Sequence, residues 1–234
     1  QCQQIGIKNP TILLEPVGRN TAPAIAAAAL QSLKTSDDTV LLVLSADHVI
    51  QDVESFHQAI NIASQQAQDG KLATFGIVPT NANTGYGYIK SSKNNIDGAY
   101  KVEEFVEKPD LKTAESYLEQ GNYLWNSGIF MFRASDMINA YEKYAYDMVD
   151  PVNCAMENAN TDLGFLRLDP EAWSRCKDIS IDYAIMMHAD NLVAFPFVAG
   201  WSDLGGWNAV KEEMGSDENG VAVSNNAHGI DCTN

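Results

Sequence analysis

Five segments of this sequence place polar or charged side chains directly after an apolar run. They read EPVGRNTAP, SADH, VEKP, WNSG and GWSDLGGW, and they begin at residues 15, 45, 106, 125 and 200. In open α/β sheets, ligands bind outside the carboxyl ends of the strands, where the connections leave the sheet. Each segment is therefore a candidate for part of one ligand site.

Two of these segments carry a carboxylate that can hold a metal ion. Asp47 follows the apolar run that ends at Leu44, and Asp203 lies close to glycines that allow a ligand to approach the backbone. Mg²⁺ takes hard oxygen ligands and is usually held by one or two carboxylates together with substrate phosphates. A turn or helix-capping role explains Asp47 equally well when that residue is considered alone. The two residues together make a magnesium site a hypothesis worth testing.

Alternating strand and helix patterns in the first third of the chain are predicted to position these segments. Apolar runs at 11–16, 39–45 and 72–79 predict strands, and the patterns over 21–34 and 53–70 predict helices. This order is typical of a parallel sheet with right-handed crossovers. The run over 39–45 is apolar on both faces, which predicts a central parallel strand. Asn20 or Thr21 can cap the first helix, and Gly70 is predicted to end the second.

The rest of the chain has a different pattern. Two antiparallel strands are predicted in GYGYIKSS and YKVEEFVEKP, and further strands over 127–134 and 191–198. Helices are predicted over 111–121, from Ser135 onwards, and over most of 145–190. The tail from about Ser216 is rich in Gly, Asn and Asp and indicates a linker or the entry to another unit.

Composition narrows the function classes. The chain has 234 residues, a formal net charge of −16, 45% apolar and 20% charged residues, which is an ordinary globular balance. No basic cluster indicates nucleic-acid binding, and no apolar run reaches the length of a membrane span. The four cysteines show no metal-binding spacing, so reduced thiols in a cytoplasmic protein are expected.

Seven ordered motifs resemble those of mannose-1-phosphate guanylyltransferases. They are ILLEPVGRNTAPAIAAAAL, LLVLSADHVI, FGIVPTNANTGYGYI, VEEFVEKP, WNSGIFMF, SIDYAIM and GWSDLGGWNAV. The resemblance covers nearly the whole chain and is to the bacterial type that often carries a fused mannose-6-phosphate isomerase. It implies a Rossmann-like α/β fold of the nucleotide-diphospho-sugar transferases, with a mixed, mainly parallel sheet flanked by helices.

The resemblance also implies a reaction. GTP and mannose 1-phosphate would form GDP-mannose and pyrophosphate by in-line attack on the α-phosphorus, assisted by Mg²⁺. The chain shows no evident Ser-His-Asp or Cys-His set, which fits a reaction without a covalent intermediate. No nucleic acid or membrane partner is implied, and a homodimer is compatible with the family.

Roles for individual residues follow from the same motifs. Asp47, Asp203 and Lys108 resemble the catalytic residues, and both aspartates resemble the magnesium ligands. Guanine and ribose binding is implied for the loop residues Glu15, Pro16, Arg19, Asn20, Thr21, Ala46 and Asp47. Sugar binding is implied for Tyr86, Gly87, Glu107, Asn126 and Asp182.

Each of these residues also has a plainer interpretation. The EPVGRNTAP segment can be a loop and helix cap, and Gly87 can serve a hairpin turn. Glu107 and Lys108 can form a surface ion pair, and Asp182 can cap a helix. His48 is expected to pack beside the site. Trp201, Trp207 and Tyr86 are expected in the core or a pocket wall rather than as stacking platforms.

The two ends of the chain depart from the family pattern. The family begins with a strand and a loop of the form Gly-Gly-x-Gly-x-Arg-Leu-x-Pro-Leu, which this sequence lacks. Residues 1–215 are therefore expected to be a nucleotidyltransferase domain without its first strand and glycine-rich loop. Residues 216–234 are expected to be a linker or the start of a β-helical or isomerase unit.

Two rival functions remain open at this point. One is uridylyl or thymidylyl transfer to glucose 1-phosphate, which the EPVGRNTAP segment argues against. The other is a catalytically silent fragment that only binds a nucleotide sugar, which the missing glycine-rich loop favours.

Overall fold

The computed structural model describes residues 2, 4–36, 38–198, 200–217, 220–224, 226–227 and 230. The described strands are β1 (Ile12–Leu14), β2 (Val40–Val43), β3 (Val49–Ile50), β4 (Leu72–Ile77), β5 (Tyr88–Ile96), β6 (Ala99–Val106), β7 (Tyr123–Arg133), β8 (Asn160–Asp162), β9 (Phe165–Arg167), β10 (Leu192–Phe197) and β11 (Trp201–Ser202). The helices are α1 (Thr21–Thr35), α2 (Val53–Gln68), α3 (Leu111–Gln120), α4 (Ala134–Tyr144), α5 (Tyr146–Glu157), α6 (Pro170–Ser174) and α7 (Trp207–Met214), with a π-helical turn at Asp182–Met186.

A six-stranded sheet in the order β2-β7-β4-β10-β6-β5 forms the centre of the fold. The first part of β7 also pairs with β5, so β7, β4, β10, β6 and β5 form a closed ring of pairings. The other described strands form a sheet of β1, β9 and β8 and a ribbon of β11 and β3. The predicted α/β fold is confirmed.

Apolar side chains on both faces of this sheet are covered by helices. Phe130 and Phe132 of β7 pack in a cluster with residues of α1, α4 and α5. Ile129 and Met131, which alternate with them, pack in a second cluster with Phe56 of α2. Because successive strand residues point to opposite faces, the continuous apolar run of β7 fits a strand buried on both sides.

The direction of the strands differs from the prediction of a mainly parallel sheet. Only the β4–β10 pair is parallel among the described pairings of the central sheet, and the others are antiparallel. The strand β2 is an edge strand rather than a central one, and each of its four residues is partly exposed. The prediction for β2 was wrong because an apolar run reports burial on two faces but not the number of neighbouring strands.

Local signals located most helix ends correctly. The Asn20 side chain accepts a hydrogen bond from the Thr21 amide and caps α1, and Gly121 ends α3 in the left-handed conformation. The predicted cap at Ser135 was wrong, since α4 begins at Ala134. The carboxylate of Asp38 instead accepts hydrogen bonds from the backbone amide and hydroxyl of Ser135. Short strands β8 and β9 interrupt the stretch that was predicted to be mostly helical.

Within the part of the chain that the structure describes, no helix combines the length and the apolar character needed to cross a bilayer.

A hydrogen bond from the hydroxyl of Tyr141 connects α4 to the start of α1. Tyr141 is 1% exposed, and its hydroxyl donates a 2.6 Å hydrogen bond to the carbonyl oxygen of Ala22. Tyr141→Phe should lower the free energy of unfolding by about 0.5–1.5 kcal/mol, because it removes one buried hydrogen bond. Urea denaturation measures the change. Tyr146→Phe is the matched control: Tyr146 is 76% exposed, and its loss should change stability by less than about 0.5 kcal/mol. Equal effects of the two variants would contradict this assignment.

Candidate active site

Four paired residues on neighbouring strands, one each on β4, β7, β5 and β6, form a row across the sheet, and predicted sugar-binding residues lie next to it. Trp125 of β7 pairs with Ile77 of β4 on one side and with Tyr88 of β5 on the other, and Tyr88 pairs with Val106 of β6. The residues adjoining this row therefore lie together, although they are far apart in sequence. Three of the five predicted sugar-binding residues, Gly87, Glu107 and Asn126, each adjoin a member of the row.

The glycine at position 87 is required by the close approach of its neighbours. The backbone amide of Asn126 donates a 2.8 Å hydrogen bond to the carbonyl oxygen of Gly87. A Cβ atom placed on Gly87 would collide with Oε2 of Glu107 and would lie 3.3 Å from Cβ of Asn126. A Cβ at position 87 would therefore displace the Glu107 carboxylate from its place against this backbone. The φ of Gly87 is not in the left-handed region, so glycine serves space here rather than backbone conformation.

The amide of Asn126 has one orientation that satisfies its partners. Its Oδ1 accepts a 3.2 Å hydrogen bond from the backbone amide of Gly128, which can only donate, and Thr74 Oγ1 lies 3.4 Å from the same oxygen. The Nδ2 group therefore faces Asp182 and donates to its Oδ1 at 2.8 Å. The structure thus brings Asp182, at the start of the π-helical turn, to the predicted sugar-binding residues.

The two carboxyl groups of this cluster are desolvated. Burial and, to a lesser degree, the charge of Asp182 raise the pKa of Glu107, while Lys108 lowers it in part. Burial also raises the pKa of Asp182, and the hydrogen bond from Asn126 opposes that shift. Oε2 of Glu107 is buried and has no hydrogen-bond partner in the described part of the chain, while Oε1 lies 3.6 Å from Lys108 Nζ. A buried acceptor without a partner is costly, and a ligand hydroxyl would satisfy it.

The two predicted metal ligands lie at the same end of the β3–β11 ribbon. Ser202 pairs with Val49 in this antiparallel ribbon. Asp203 directly follows Ser202, and Asp47 lies two residues before Val49, so both aspartates lie at the same end of the ribbon. Asp47 is exposed in a turn, and its carboxylate accepts no hydrogen bond from the described residues. Carboxylates with oxygens free of protein donors fit the ligand preference of Mg²⁺. No group of three or more His, Cys, Asp and Glu side chains arranged for a metal occurs among the described residues, so the magnesium site stays a prediction.

The Asp203 carboxylate is held by two donors on one oxygen. Its Oδ1 accepts a 3.0 Å hydrogen bond from the Tyr86 hydroxyl and another of 3.0 Å from the Gly205 amide. Its Oδ2 accepts none in the described part of the chain. A Cβ on Gly205 would lie 2.7 Å from that oxygen, so this glycine leaves room for the carboxylate.

Aromatic rings connect the acidic pair to the sugar-binding cluster. The Tyr86 ring centroid lies 5.1 Å from that of Trp125 and 5.4 Å from that of Trp201, and both pairs meet edge to face. Trp201 Nε1 donates a 3.3 Å hydrogen bond to Nδ1 of His48. His48 thus packs beside the site as predicted. Trp207, which was predicted to lie in the core or a pocket wall, is 87% exposed, and that prediction was wrong.

A groove of 640 Å³ opens beside these rings. The walls include Tyr86, Trp125, Trp201 and Asp203, and the side formed by α7 includes Glu212 and Glu213. Burial, followed by the hydrogen bond and charge of Asp203, raises the pKa of Tyr86 to about 12. The Tyr86 hydroxyl therefore keeps its proton and acts as a donor at neutral pH.

The predicted nucleotide-binding loop packs against the segment around α6. Arg19 Nη2 donates a 2.7 Å hydrogen bond to the carbonyl oxygen of Ser174, and its buried Nε has no partner among the described residues. Partial desolvation raises the pKa of Glu15, and the backbone amide of Arg19 opposes the shift. Pro16 and Ala46 are exposed, so their surfaces are open to a ligand.

The three groups of predicted residues adjoin one another. The Thr21 hydroxyl accepts a 2.8 Å hydrogen bond from the amide of Ile181, next to Asp182, which joins the nucleotide-binding loop to the sugar-binding cluster. A Cβ atom placed on Gly128 would lie 3.9 Å from Cε1 of His48. His48, which follows Asp47, therefore lies close to Gly128, whose amide donates to Asn126 of the cluster.

Sequence reasoning missed one residue of the cluster. Thr74 is a fully buried polar residue of β4, and its hydroxyl lies between Asn126 Oδ1 and the carbonyl oxygen of Ile129. The signal that could have revealed it is a hydroxyl residue within the otherwise apolar run LATFGI.

Comparison with known proteins gives a consistent family. A family model described as nucleotidyl transferase matches residues 1–220. The chain is 46% identical over 234 residues to the xanthan biosynthesis protein XanB of Xanthomonas campestris, covering 100% of this chain and 50% of that protein. It is 48% identical over 226 residues to a mannose-1-phosphate guanylyltransferase of Salmonella montevideo, covering 94% of this chain and 47% of that protein.

Solved structures show the same fold. A protein from Thermus thermophilus described as a mannose-1-phosphate geranyltransferase has a TM-score of 0.80 and 29% identity, and the alignment covers 93% of this chain and 62% of that one. A protein from Helicobacter pylori described as a mannose-6-phosphate isomerase has a TM-score of 0.77 and 33% identity, with 85% and 77% covered. The chain spans about half the length of the curated relatives named above. Since the family model matches nearly the whole chain, the chain belongs to the nucleotidyl transferase family.

Proposed function

We propose that this chain carries the site for guanylyl transfer from GTP to mannose 1-phosphate, forming GDP-mannose and pyrophosphate. Relatives with the name of this activity support the proposal, at 48% identity in the Salmonella protein. The observation that carries it is the cluster of Gly87, Glu107 and Asn126 beside the acidic pair and the nucleotide-binding loop. This cluster offers one buried acceptor without a partner among the described residues, Oε2 of Glu107, for a sugar hydroxyl, and it adjoins residues suited to phosphates.

The chemistry is an in-line displacement at phosphorus. An oxygen of the sugar phosphate forms a bond to the α-phosphorus of GTP, and the bond from that phosphorus to the bridging oxygen of the pyrophosphate leaving group breaks. Such a reaction needs positioning and charge neutralisation rather than a protein nucleophile. The chain has a large negative charge, so cations must offset the repulsion between its carboxylates and the phosphates.

Asp47 and Asp203 are the proposed ligands of a divalent cation. Nucleotidyl transferases commonly use such a cation, and Mg²⁺ would supply stabilisation of the charge that develops on the phosphates. The protein's own part is to hold the Asp203 carboxylate with Oδ1 bonded to Tyr86 and Gly205 and with Oδ2 free.

The sugar phosphate is proposed to lie against Gly87, with Glu107 accepting from a mannose hydroxyl. The Lys108 ammonium is exposed and close to Glu107, so it can reach the phosphate as a point charge. Asn126 and Asp182 orient one another and contribute further polar atoms. Glu15, Arg19, Asn20 and Thr21 are proposed to hold the guanosine. This loop leads into the start of α1, which favours the anionic phosphates of the same nucleotide.

Substrate selectivity is the test of the proposal. The full chain is assayed for pyrophosphate release with GTP, UTP or dTTP, each paired with mannose 1-phosphate and with glucose 1-phosphate. Turnover should be highest with GTP and mannose 1-phosphate. Exclusive use of UTP or dTTP would overturn the proposal in favour of the rival transferase. Calorimetric binding of GDP-mannose without turnover of any pair would favour a silent binding protein.

Asp203→Asn should lower turnover by about 100-fold or more and leave the fold intact. The substitution removes charge from the proposed cation site, where a metal supplies several kcal/mol, and it removes no packing. Turnover is measured at several Mg²⁺ concentrations, with circular dichroism to check the fold. Asp162→Asn is the control, since this carboxylate pairs with Arg167 at a partly exposed position of β8, away from the proposed cation site. An unchanged rate for Asp203→Asn in saturating Mg²⁺ would count against its role.

Glu107→Gln should raise the KM for mannose 1-phosphate by about tenfold or more while changing the KM for GTP little. The carboxylate is proposed to bind the sugar, and a charge-assisted hydrogen bond contributes about 1.5–3 kcal/mol. Initial rates with each substrate varied in turn give both constants. Glu104→Gln is the control, because this carboxylate lies on β6, three residues before Glu107, and accepts a hydrogen bond from the Tyr123 hydroxyl instead. Equal changes in the two KM values would place Glu107 outside the sugar site.

The same substitution should change the pH dependence of stability. The raised pKa of Glu107 means that the folded state binds more protons than the unfolded state between the ordinary and the raised pKa. The contribution of this group to stability is therefore fully present below the ordinary pKa and is lost as pH rises through the raised one. Between about pH 4 and 7, the free energy of unfolding of the unsubstituted protein should fall relative to that of Glu107→Gln. Urea denaturation at several pH values measures this, and a rise would contradict the assigned burial.

A further inference from the structure

We propose that Tyr86 is a positioning residue that fixes the Asp203 carboxylate so that Oδ2 is presented to the cation. This inference rests on the proposed function, in which Asp203 is a ligand of that cation. The sequence indicated Tyr86 as a residue of the sugar site or of a pocket wall, and its contact with a residue 117 positions later was not foreseen.

The first observation is the asymmetry of the carboxylate. Both donors, the Tyr86 hydroxyl and the Gly205 amide, reach Oδ1 at 3.0 Å, and no described donor reaches Oδ2. A free aspartate side chain can exchange its two oxygens by rotation about its last torsion. Two hydrogen bonds to the same oxygen oppose that rotation, so one oxygen serves the protein and the other stays available to a ligand.

The second observation is that the tyrosine is itself fixed. Its ring meets Trp125 and Trp201 edge to face, on two sides. Trp125 is 6% exposed and belongs to β7, so one of these contacts is part of the buried frame of the sheet. Trp201 lies on β11, the short strand that leads directly to Asp203. The β3–β11 ribbon therefore positions both the Trp201 ring, which contacts Tyr86, and the Asp203 carboxylate. The hydroxyl is thereby oriented before any ligand arrives.

The third observation concerns space. A Cβ at Gly205 would lie 2.7 Å from Oδ2 and 3.2 Å from Oδ1 of Asp203. With no Cβ on Gly205, the Asp203 carboxylate can lie close to the backbone of residue 205, where it accepts the hydrogen bond from the Gly205 amide. The Tyr86 hydroxyl is the only side-chain donor to this carboxylate among the described residues, so its removal should leave the Gly205 amide as the only described donor that opposes rotation of the carboxylate.

The consequence is a specific loss of cation affinity. Hydrogen-bond partners that orient metal ligands typically contribute 10–100-fold to metal affinity. Tyr86→Phe keeps the ring and its two aromatic contacts and removes only the hydroxyl. The variant should bind the cation about tenfold or more weakly, and its turnover should recover at high Mg²⁺, because Tyr86 orients a ligand and does not react.

The experiment uses Mn²⁺ as the probe in the presence of GTP. Electron paramagnetic resonance of unbound Mn²⁺ gives the dissociation constant for the full chain, for Tyr86→Phe, for Asp203→Asn and for the double variant. Tyr123→Phe is the matched control, since it removes another tyrosine hydroxyl that donates to a carboxylate, at 3.1 Å on Glu104. We expect weaker Mn²⁺ binding for Tyr86→Phe, an unchanged constant for Tyr123→Phe, and no additional loss when Tyr86→Phe is added to Asp203→Asn.

The outcomes separate this inference from the proposed function. Weaker binding by Asp203→Asn with unchanged binding by Tyr86→Phe would overturn the role of Tyr86 and leave the proposed function intact. Equal binding by the unsubstituted chain and Asp203→Asn, or no Mn²⁺ binding at all, would overturn the cation role of Asp203 and this inference with it. A loss in Tyr86→Phe that persists in the Asp203→Asn background would show that the tyrosine acts on stability rather than through this carboxylate.

Discussion

The pairing of β7 with both β4 and β5 at Trp125 is the constraint on which the candidate site depends. At this point one residue has strand neighbours on two sides, and β6 is joined through β5. A shift of one residue in this register would turn every side chain to the opposite face. Such a shift would separate Gly87, Glu107 and Asn126, because each of them is the chain neighbour of a residue paired in this row. The sheet register therefore determines the geometry of a cluster whose members are up to 39 positions apart in the sequence.

The cluster is held together at a cost in electrostatic free energy. Burial raises the pKa of both Glu107 and Asp182, and each carboxyl group is desolvated near the other. A protein selected for stability alone would replace such a pair with apolar residues of similar size. Unpartnered acceptors and desolvated carboxyl groups are instead expected where a polar ligand completes the hydrogen bonding. In the proposed function, a sugar hydroxyl would supply the donor that Oε2 of Glu107 lacks among the described residues.

Local features of the fold were predictable from the sequence, and the arrangement of strands was not. The cap at Asn20 and the stop at Gly121 depend on short-range hydrogen bonds and on glycine's access to positive φ, so a few residues suffice to identify them. The edge position of β2 depends on which distant strand pairs with it, and nothing within Val40–Val43 encodes that choice. Strands β8 and β9 have three residues each, too few for an alternating pattern to be recognised.

The members of the candidate site were predictable from the motifs, but their mutual contacts were not. Motif order indicated Asp203 and Tyr86 separately, as a metal ligand and a sugar-site residue. Their hydrogen bond depends on the β3–β11 ribbon, whose strands have two residues each and carry almost no sequence signal. Thr74 was missed for a related reason. A single threonine in a buried strand is ordinary, and its importance follows only from the amide that its hydroxyl faces.

Unusual backbone conformations occur beside some residues of the candidate site. Of the six described residues other than glycine with positive φ, Asn20 at 62°, Lys108 at 49° and Leu204 at 48° fall in segments singled out by their chemistry, and Asn9, Asp97 and Leu163 lie outside them. Asparagine tolerates this conformation, but lysine and leucine adopt it at a cost of about 1–3 kcal/mol. Each strained residue adjoins a site residue, since Lys108 follows Glu107 and Leu204 follows Asp203. The surrounding structure must therefore hold the backbone at Lys108 and Leu204 in a conformation that these residues do not prefer. Such strain is common at functional sites, which supports the proposed roles of Glu107 and Asp203.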